Sequence, residues 1–275
     1  MTRLVEVPAQ FDDRSFDQFA SAFAEAAKDG ERLLFDAHAA EWASPYGLVG
    51  LLAAGQAARG TGGGGGGSAE RPLLTAPTHA DVLTYWTRAG FFREAAELFE
   101  IHGKVPRVKA AEESDVLLPV TPVRAAEDVH AVVSNIQQRA SAILASELGL
   151  DPKATMGFAM ALSEACQNIV EHAGTGGWVA VQAYHWRRKL AKRVVVIAVA
   201  DAGVGFRHSL EPTQSKRFGT RWGDAAALEA ALIQGVSRFR DPGRGQGLAG
   251  IRRYLARWDG KIGRASCRER VSRCV

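Results

Sequence analysis

The first hundred residues alternate between short apolar runs, typical of buried strands, and longer stretches with apolar residues at helical spacing. The runs that predict strands are Leu4–Val7, Leu33–Phe35 and Leu73–Leu74, and the stretches that predict helices are Phe16–Ala27, Gly47–Ala58 and Ala80–Ala89. Strands that alternate with helices are the pattern of an α/β domain. We therefore expect an α/β domain over residues 1–105.

Two composition shifts divide the chain. Residues 60–68 contain six consecutive glycines, which lose the most entropy on ordering, so we predict a flexible loop there. Residues 106–123 hold three prolines with charged residues between them, which favours a connection followed by the leading strand of a second domain. This second domain is expected over residues 124–261.

The second domain begins with a long helical pattern and continues with two apolar strands. Glu127–Leu148 has apolar residues along one helical side, and the strands are predicted at Trp178–His185 and Val194–Ala200. The run at 194–200 is far shorter than the roughly 20 apolar residues of a membrane-spanning helix. We therefore expect no membrane role.

The overall composition is that of a folded globular protein, with 47% hydrophobic and 23% charged residues. Met1–Asp13 lacks a basic stretch followed by an apolar one, so we expect no secretory signal and a cytoplasmic location. Cys166 is the one cysteine before residue 262, which is compatible with a reducing compartment.

The last residues, 262–275, differ in character from the rest. Ile262–Val271 reads as one translated frame of a common sequencing adapter, and we interpret residues 262–275 as adapter-derived. Because this segment carries four Arg and one Glu, the formal charge of +4 falls to +1 without it. The argument for a nucleic-acid partner disappears with that charge, and we expect none.

A first candidate for chemistry is the sequence from Glu164 to His172. Steps of four residues place Glu164, Asn168 and His172 on one helical face. A carboxylate there can accept a proton, and an amide oxygen can ligate magnesium beside phosphates. Taken alone, the same pattern also fits an amphipathic helix with a solvated polar face.

A second candidate follows the strand at 194–200 directly. Asp201 can accept a hydrogen bond from an exocyclic amine, and Gly203 and Gly205 let the backbone approach a flat ring closely. An ordinary turn after a strand is the alternative reading of these residues.

A third candidate is glycine-rich and precedes a predicted helix at Ile251–Trp258. Free backbone amides before a helix amino terminus favour phosphate. The residues that carry this expectation are Gly243, Gly245, Gly247 and Leu248. The glycine spacing also satisfies a dinucleotide-binding pattern, but Arg240-Asp241-Pro242 before it is no strand.

In this order and spacing, the three motifs resemble the nucleotide site of the GHKL ATPase superfamily, in particular serine kinases that act as bacterial anti-sigma factors. The resemblance implies a two-layer α/β sandwich of the Bergerat type that binds ATP and Mg²⁺. It implies that Glu164 is the general base, Asn168 the magnesium ligand, and Asp201 the contact to the adenine amino group. His172 corresponds to a residue near the phosphates.

Residues 2–102 loosely resemble a STAS-type domain, the anti-anti-sigma fold. STAS partners of these kinases are phosphorylated on a serine just before a Gly-Leu pair, whereas Gly47-Leu48 here follows Pro45 and Tyr46. Ser44 is the nearest hydroxyl. We predict that it caps a helix with Pro45 at the first helical position, rather than accepting phosphate.

The resemblance implies a serine/threonine kinase that phosphorylates a STAS-type anti-anti-sigma protein and sequesters a sigma factor, and it is consistent with a homodimer. An alternative is an ATP-binding regulatory module with little catalysis that its own STAS-like domain controls. Tyr46 in place of an acceptor serine favours this alternative. A conformational ATPase that dimerises is a third reading. The resemblance implies a mobile ATP lid between the second and third motifs, within residues 207–240, and this short lid and the absence of a following transducer domain disfavour that reading.

Overall fold

The computed structural model describes residues 1–61, 70–106, 117–124, 151–186 and 192–234, with five isolated positions between 134 and 149. The described residues form two compact units. The first comprises residues 1–122 and 177–202, and the second begins at residues 123–176 and resumes at residue 203. No helix in the described part of the chain is long and apolar enough to cross a membrane.

The first unit contains a parallel four-stranded sheet in the order β1-β3-β5-β6 and a small parallel pair of β2 and β4. The strands are β1 (Thr2–Glu6), β2 (Gln10–Phe11), β3 (Arg32–Asp36), β4 (Trp42–Ala43), β5 (Leu73–Thr75) and β6 (Glu100–His102). The helices are α1 (Phe16–Ala26), α2 (Pro45–Thr61), α3 (Ala80–Arg88) and α4 (Phe91–Leu98). The predicted α/β class is confirmed.

Helix α2 lies at the centre of this unit because three of its glycines admit aromatic rings. A Cβ atom at Gly50 would lie 2.1 Å from Phe16, and one at Gly55 would lie 2.1 Å from Phe99. At Gly47 the nearest atom would be the carbonyl oxygen of Phe11, at 2.5 Å. Larger residues at these positions would separate the helix from the phenylalanine core.

Ser44 caps α2, as predicted. Its side chain is 4% exposed, and its Oγ accepts a hydrogen bond from the Gly47 N–H at 3.3 Å. The Ser44 carbonyl accepts the first helical hydrogen bond from Leu48, at 3.1 Å, and Pro45 occupies the first helical position. The hydroxyl therefore satisfies an amide at the helix start that would otherwise lack a partner.

A three-stranded sheet in the order β7-β8-β9 contains the leading strand and the hairpin predicted for the second half of the chain. The strands are β7 (Leu117–Val123), β8 (Gly177–Trp186) and β9 (Lys192–Asp201). Strands β8 and β9 pair antiparallel from Gly177 with Asp201 to Trp186 with Lys192. The hairpin belongs to the first compact unit, together with residues 1–122.

The second unit contains helix α5 (Pro152–Asn168), a π-helical turn (Ile169–Ala173), helix α6 (Gly205–Phe218) and helix α7 (Asp224–Leu232). Leu210 of α6 packs with Ala230 and Ala231 of α7, and Phe206, Phe218 and Trp222 cover this cluster. The helix predicted over residues 127–148 falls outside the described residues except for four helical positions, 134, 138, 142 and 145.

Several other predictions also fall outside the described residues. They concern most of the glycine-rich loop at 60–68, the third glycine-rich motif and the segment 262–275. The STAS-like assignment of residues 1–105 stays a prediction. Helix α4 and strand β6 were not predicted; Gly90, with a φ of 75°, ends α3 and lets a new helix begin at once.

Candidate nucleotide site

Helix α5 turns one side to the protein interior and presents the candidate polar residues on the other. Leu162, Cys166 and Ile169 are at most 3% exposed and follow each other at helical spacing. With 3.6 residues per turn, Glu164 and Asn168 lie roughly opposite this buried stripe, one turn apart, and both are half-buried. A carboxylate and an amide thus lie next to each other on α5, and the buried side of this helix fixes its rotation about its own axis.

The helix widens directly after Asn168. Residues 169–173 form a π-helical turn, which ends at Gly174 with a left-handed φ of 69°. The predicted four-residue step therefore holds between Glu164 and Asn168, whereas His172 lies in the wider turn and leaves the α-helical repeat. Single π-helical turns inside helices occur frequently at functional sites.

Gly203 packs directly against the end of this π-helical turn. A Cβ atom at position 203 would lie 2.3 Å from the carbonyl oxygen, 2.4 Å from the Cα and 2.5 Å from the Cβ of Ala173. The next residue, Val204, donates its N–H to the Ala173 carbonyl at 3.2 Å. The structure thereby joins the glycine of the second motif to the helix of the first, within the second compact unit.

Asp201 is the last residue of β9 and is exposed. It pairs in register with Gly177 at the start of β8. Asp201 belongs to the first compact unit, whereas Glu164, Asn168 and Gly203 belong to the second. The position of Asp201 at a strand end agrees with the sequence prediction.

Gly205 is the first residue of helix α6 and does not lie in the ordinary turn that was the alternative reading of this motif. Its φ of 73° lies in the left-handed region, and no atom lies within 4 Å of a Cβ built there. Its glycine requirement is therefore a matter of backbone conformation, not of space. The helix was missed because Pro212 interrupts its sequence pattern.

Several cationic side chains lie at and just beyond the end of helix α6. Lys216 and Arg217 lie in its last turn, and Arg221 lies in the following 3₁₀ turn; all three are exposed. Arg217 lies over the ring of Phe218, with 5.6 Å between its Cζ atom and the ring centroid. Exposed side chains of this length can reach an anionic ligand or stay in solvent.

The glycine-rich third motif, with Gly243, Gly245, Gly247 and Leu248, lies outside the described residues. Magnesium prefers oxygen ligands and is usually bound through one or two protein groups together with substrate phosphates. The half-buried amide of Asn168, one helical turn from Glu164, fits this role. Within the described ranges, no three His, Cys, Asp or Glu residues group together as a metal site.

The mixed α/β fold and the joined first and second motifs are compatible with a nucleotide-binding protein. Residues 126–257 match the family model described as the histidine kinase-like ATPase domain. No curated protein and no solved structure matches the chain significantly. The match supports the GHKL-type ATPase domain and, with it, an ATP-binding regulatory role.

Proposed function

We propose that the protein is an ATP-dependent serine/threonine kinase of the anti-sigma-factor type that phosphorylates a STAS-domain partner. The observation that carries this proposal is the pair Glu164 and Asn168 on the outer side of α5, within the region that matches the ATPase family. A nucleotide-binding module needs the amide for magnesium. A carboxylate one turn away is the additional group that transfer to a hydroxyl requires.

In the proposed reaction, the hydroxyl oxygen of the partner serine attacks the γ-phosphorus of ATP. The Glu164 carboxylate takes the hydroxyl proton, the new O–P bond forms, and the bond between the γ-phosphorus and the bridging oxygen breaks to release ADP. Bound magnesium neutralises charge on the phosphates, and Asn168 would hold it. Asp201 would accept a hydrogen bond from the adenine amino group.

The nucleotide assignment is tested by titrating Mg-ATP into the wild-type protein and into Asn168→Ala and Asp201→Asn variants. Gln167→Ala is the matched control because Gln167 is exposed on the same helix and its side chain donates a hydrogen bond to Glu171, at 2.7 Å, away from the candidate site residues. We expect binding by the wild type and the control, and a loss of at least about tenfold in each site variant. A folded wild type that does not bind ATP would reject the assignment.

The kinase assignment is tested with Glu164→Gln, which preserves the shape of the side chain but removes the base. We expect this variant to bind Mg-ATP like the wild type and to transfer labelled γ-phosphate to purified STAS-domain proteins at least about 100-fold more slowly. Equal transfer rates in the two proteins would show that Glu164 is not the base. Phosphate released into solution instead of transferred would favour an ATPase.

A second candidate function is an ATP-binding regulatory module with little catalysis that the amino-terminal region controls. Two observations favour it. Ser44, the hydroxyl nearest the expected acceptor position, is buried and caps α2, and α2 also contacts the β8–β9 hairpin. In this case, Mg-ATP binds but no phosphate reaches a STAS-domain protein or Ser44, which mass spectrometry of the incubated protein would detect.

A further inference from the structure

The amino-terminal region and the β7-β8-β9 sheet share one core, and helix α2 is the element that joins them. Its glycine-bearing face receives Phe11, Phe16 and Phe99. Val49 and Leu52 lie on the other side of the helix and are 1% and 0% exposed. Because α2 contacts both β8 and β9, this second apolar face is the one available to the hairpin.

Strand β7 is fixed to the corner between α3 and α4. The Val120 N–H donates to the Ala89 carbonyl at 2.8 Å, and the Arg93 Nη2 donates to the Val120 carbonyl at 2.8 Å. The Arg93 Nε in turn bonds the buried carboxylate of Glu94, at 2.8 Å. The backbone N–H and the carbonyl of Val120 thus both form hydrogen bonds with residues of the amino-terminal region.

Strand β8 is held by a polar cluster. The hydroxyls of Tyr85 on α3 and of Tyr184 both donate to Gln182 Oε1, at 2.5 and 2.9 Å. The Trp42 ring packs against Tyr184 with 6.1 Å between centroids. A single acceptor, Gln182 Oε1, therefore links α3 to β8. Strand β8 pairs with β9, and β9 ends in Asp201.

We propose that the amino-terminal region is a built-in regulatory partner of the nucleotide site, coupled to Asp201 through α2 and the Tyr85–Gln182–Tyr184 hydrogen bonds. This inference rests on the proposed ATP site. When Asp201 engages adenine, the hairpin that carries it is restrained, and the restraint reaches α3 through Gln182. By linkage, a change in α3 that loosens the hairpin weakens nucleotide binding, and nucleotide binding stabilises α3 to the same extent.

The test is a Mg-ATP titration of the full chain as wild type, Tyr85→Phe and Thr87→Val. Tyr85→Phe removes the hydroxyl that reaches β8. Thr87→Val removes a hydroxyl of the same helix whose 2.6 Å hydrogen bond goes to the Leu83 carbonyl and stays inside α3. We expect the Kd of Tyr85→Phe to rise about 3- to 10-fold, the equivalent of one net hydrogen bond, and that of Thr87→Val to change less than about twofold.

Hydrogen exchange with and without saturating Mg-ATP supplies a second readout on the wild type. Slower exchange of α3 and β8 amides in the presence of nucleotide is expected and would be reduced in Tyr85→Phe. ATP binding with an unchanged Kd in Tyr85→Phe and unchanged exchange in α3 would overturn the coupling and leave the proposed function intact. Absence of ATP binding by the wild type would overturn both.

Discussion

Substitution of Gly203 by alanine tests whether the close contact between the first two motifs supports nucleotide binding. The added Cβ would meet three atoms of Ala173 at 2.3, 2.4 and 2.5 Å, and two of these are backbone atoms that no rotamer change can move. The two segments must separate by about 1 Å to reach an ordinary contact distance. The 3.2 Å hydrogen bond from Val204 to the Ala173 carbonyl would then open.

The expected magnitude combines two terms. A lost hydrogen bond costs about 0.5–1.5 kcal/mol, and forcing an extra methyl group into a packed contact costs about 1–3 kcal/mol. The two terms add to about 1.5–4.5 kcal/mol, so the Kd for Mg-ATP should rise at least about 10-fold where nucleotide binding needs this contact.

Isothermal titration with Mg-ATP measures the effect, and Gly223→Ala is the matched control. Gly223 has extended backbone with a φ of −171°, and nothing lies within 4 Å of a Cβ built there. The double variant Gly203→Ala with Ala173→Gly should not recover affinity, because the backbone contacts remain. Wild-type affinity in a folded Gly203→Ala protein would refute the reasoning.

Three further predictions concern stability and titration. Gly50→Ala should destabilise the protein by up to about 2 kcal/mol in urea unfolding, because the clash with Phe16 exceeds the gain in helix propensity of about 1 kcal/mol; a more stable variant would contradict this. Burial raises the pKa of the Cys166 thiol to about 12, so maleimide at pH 8 should label it far more slowly in native than in unfolded protein when the other two cysteines are serine. Burial also raises the pKa of Tyr85 to about 12, while the unfolded chain ionises near 10. Stability should therefore fall by up to about 2–3 kcal/mol as pH rises from about 10 to 12, and Tyr85→Phe should show a smaller slope in unfolding curves.

Hydrophobic periodicity predicted most elements of the first unit because their patterns are local. The predicted helix at 16–27 and the strand at 33–35 agree with Phe16–Ala26 and Arg32–Asp36 to within a residue or two. Helix α4 was missed although Phe91, Phe92, Ala95 and Leu98 repeat at helical spacing and are all buried. The pattern is hard to recognise because α3 ends at Arg88 and α4 begins at Phe91, so the two helices follow each other almost without a connection.

The placement of the candidate site residues on helix and strand could be predicted as far as it depends on residue type and spacing. Glu164 and Asn168 share the outer side of α5, and Asp201 ends its strand, both as predicted from sequence. The π-helical turn that displaces His172 has no sequence pattern of its own. Gly203 was expected to admit a flat ring, but the structure gives it a second reason to be glycine, the backbone of Ala173.

The position of the β8–β9 hairpin shows why a family match and a folding unit need not coincide. The match begins at residue 126 and includes the hairpin, yet the hairpin belongs to the same compact unit as residues 1–122. A sequence signal for this existed: α2 is apolar on every side, with Val49, Leu51, Leu52 and Ala54 all buried, and a helix of that kind needs neighbours all around it. Helices α1 and α4 and strand β4 account for only part of its surface. The other face requires a layer supplied by a distant part of the chain, and the hairpin that ends in Asp201 is that layer.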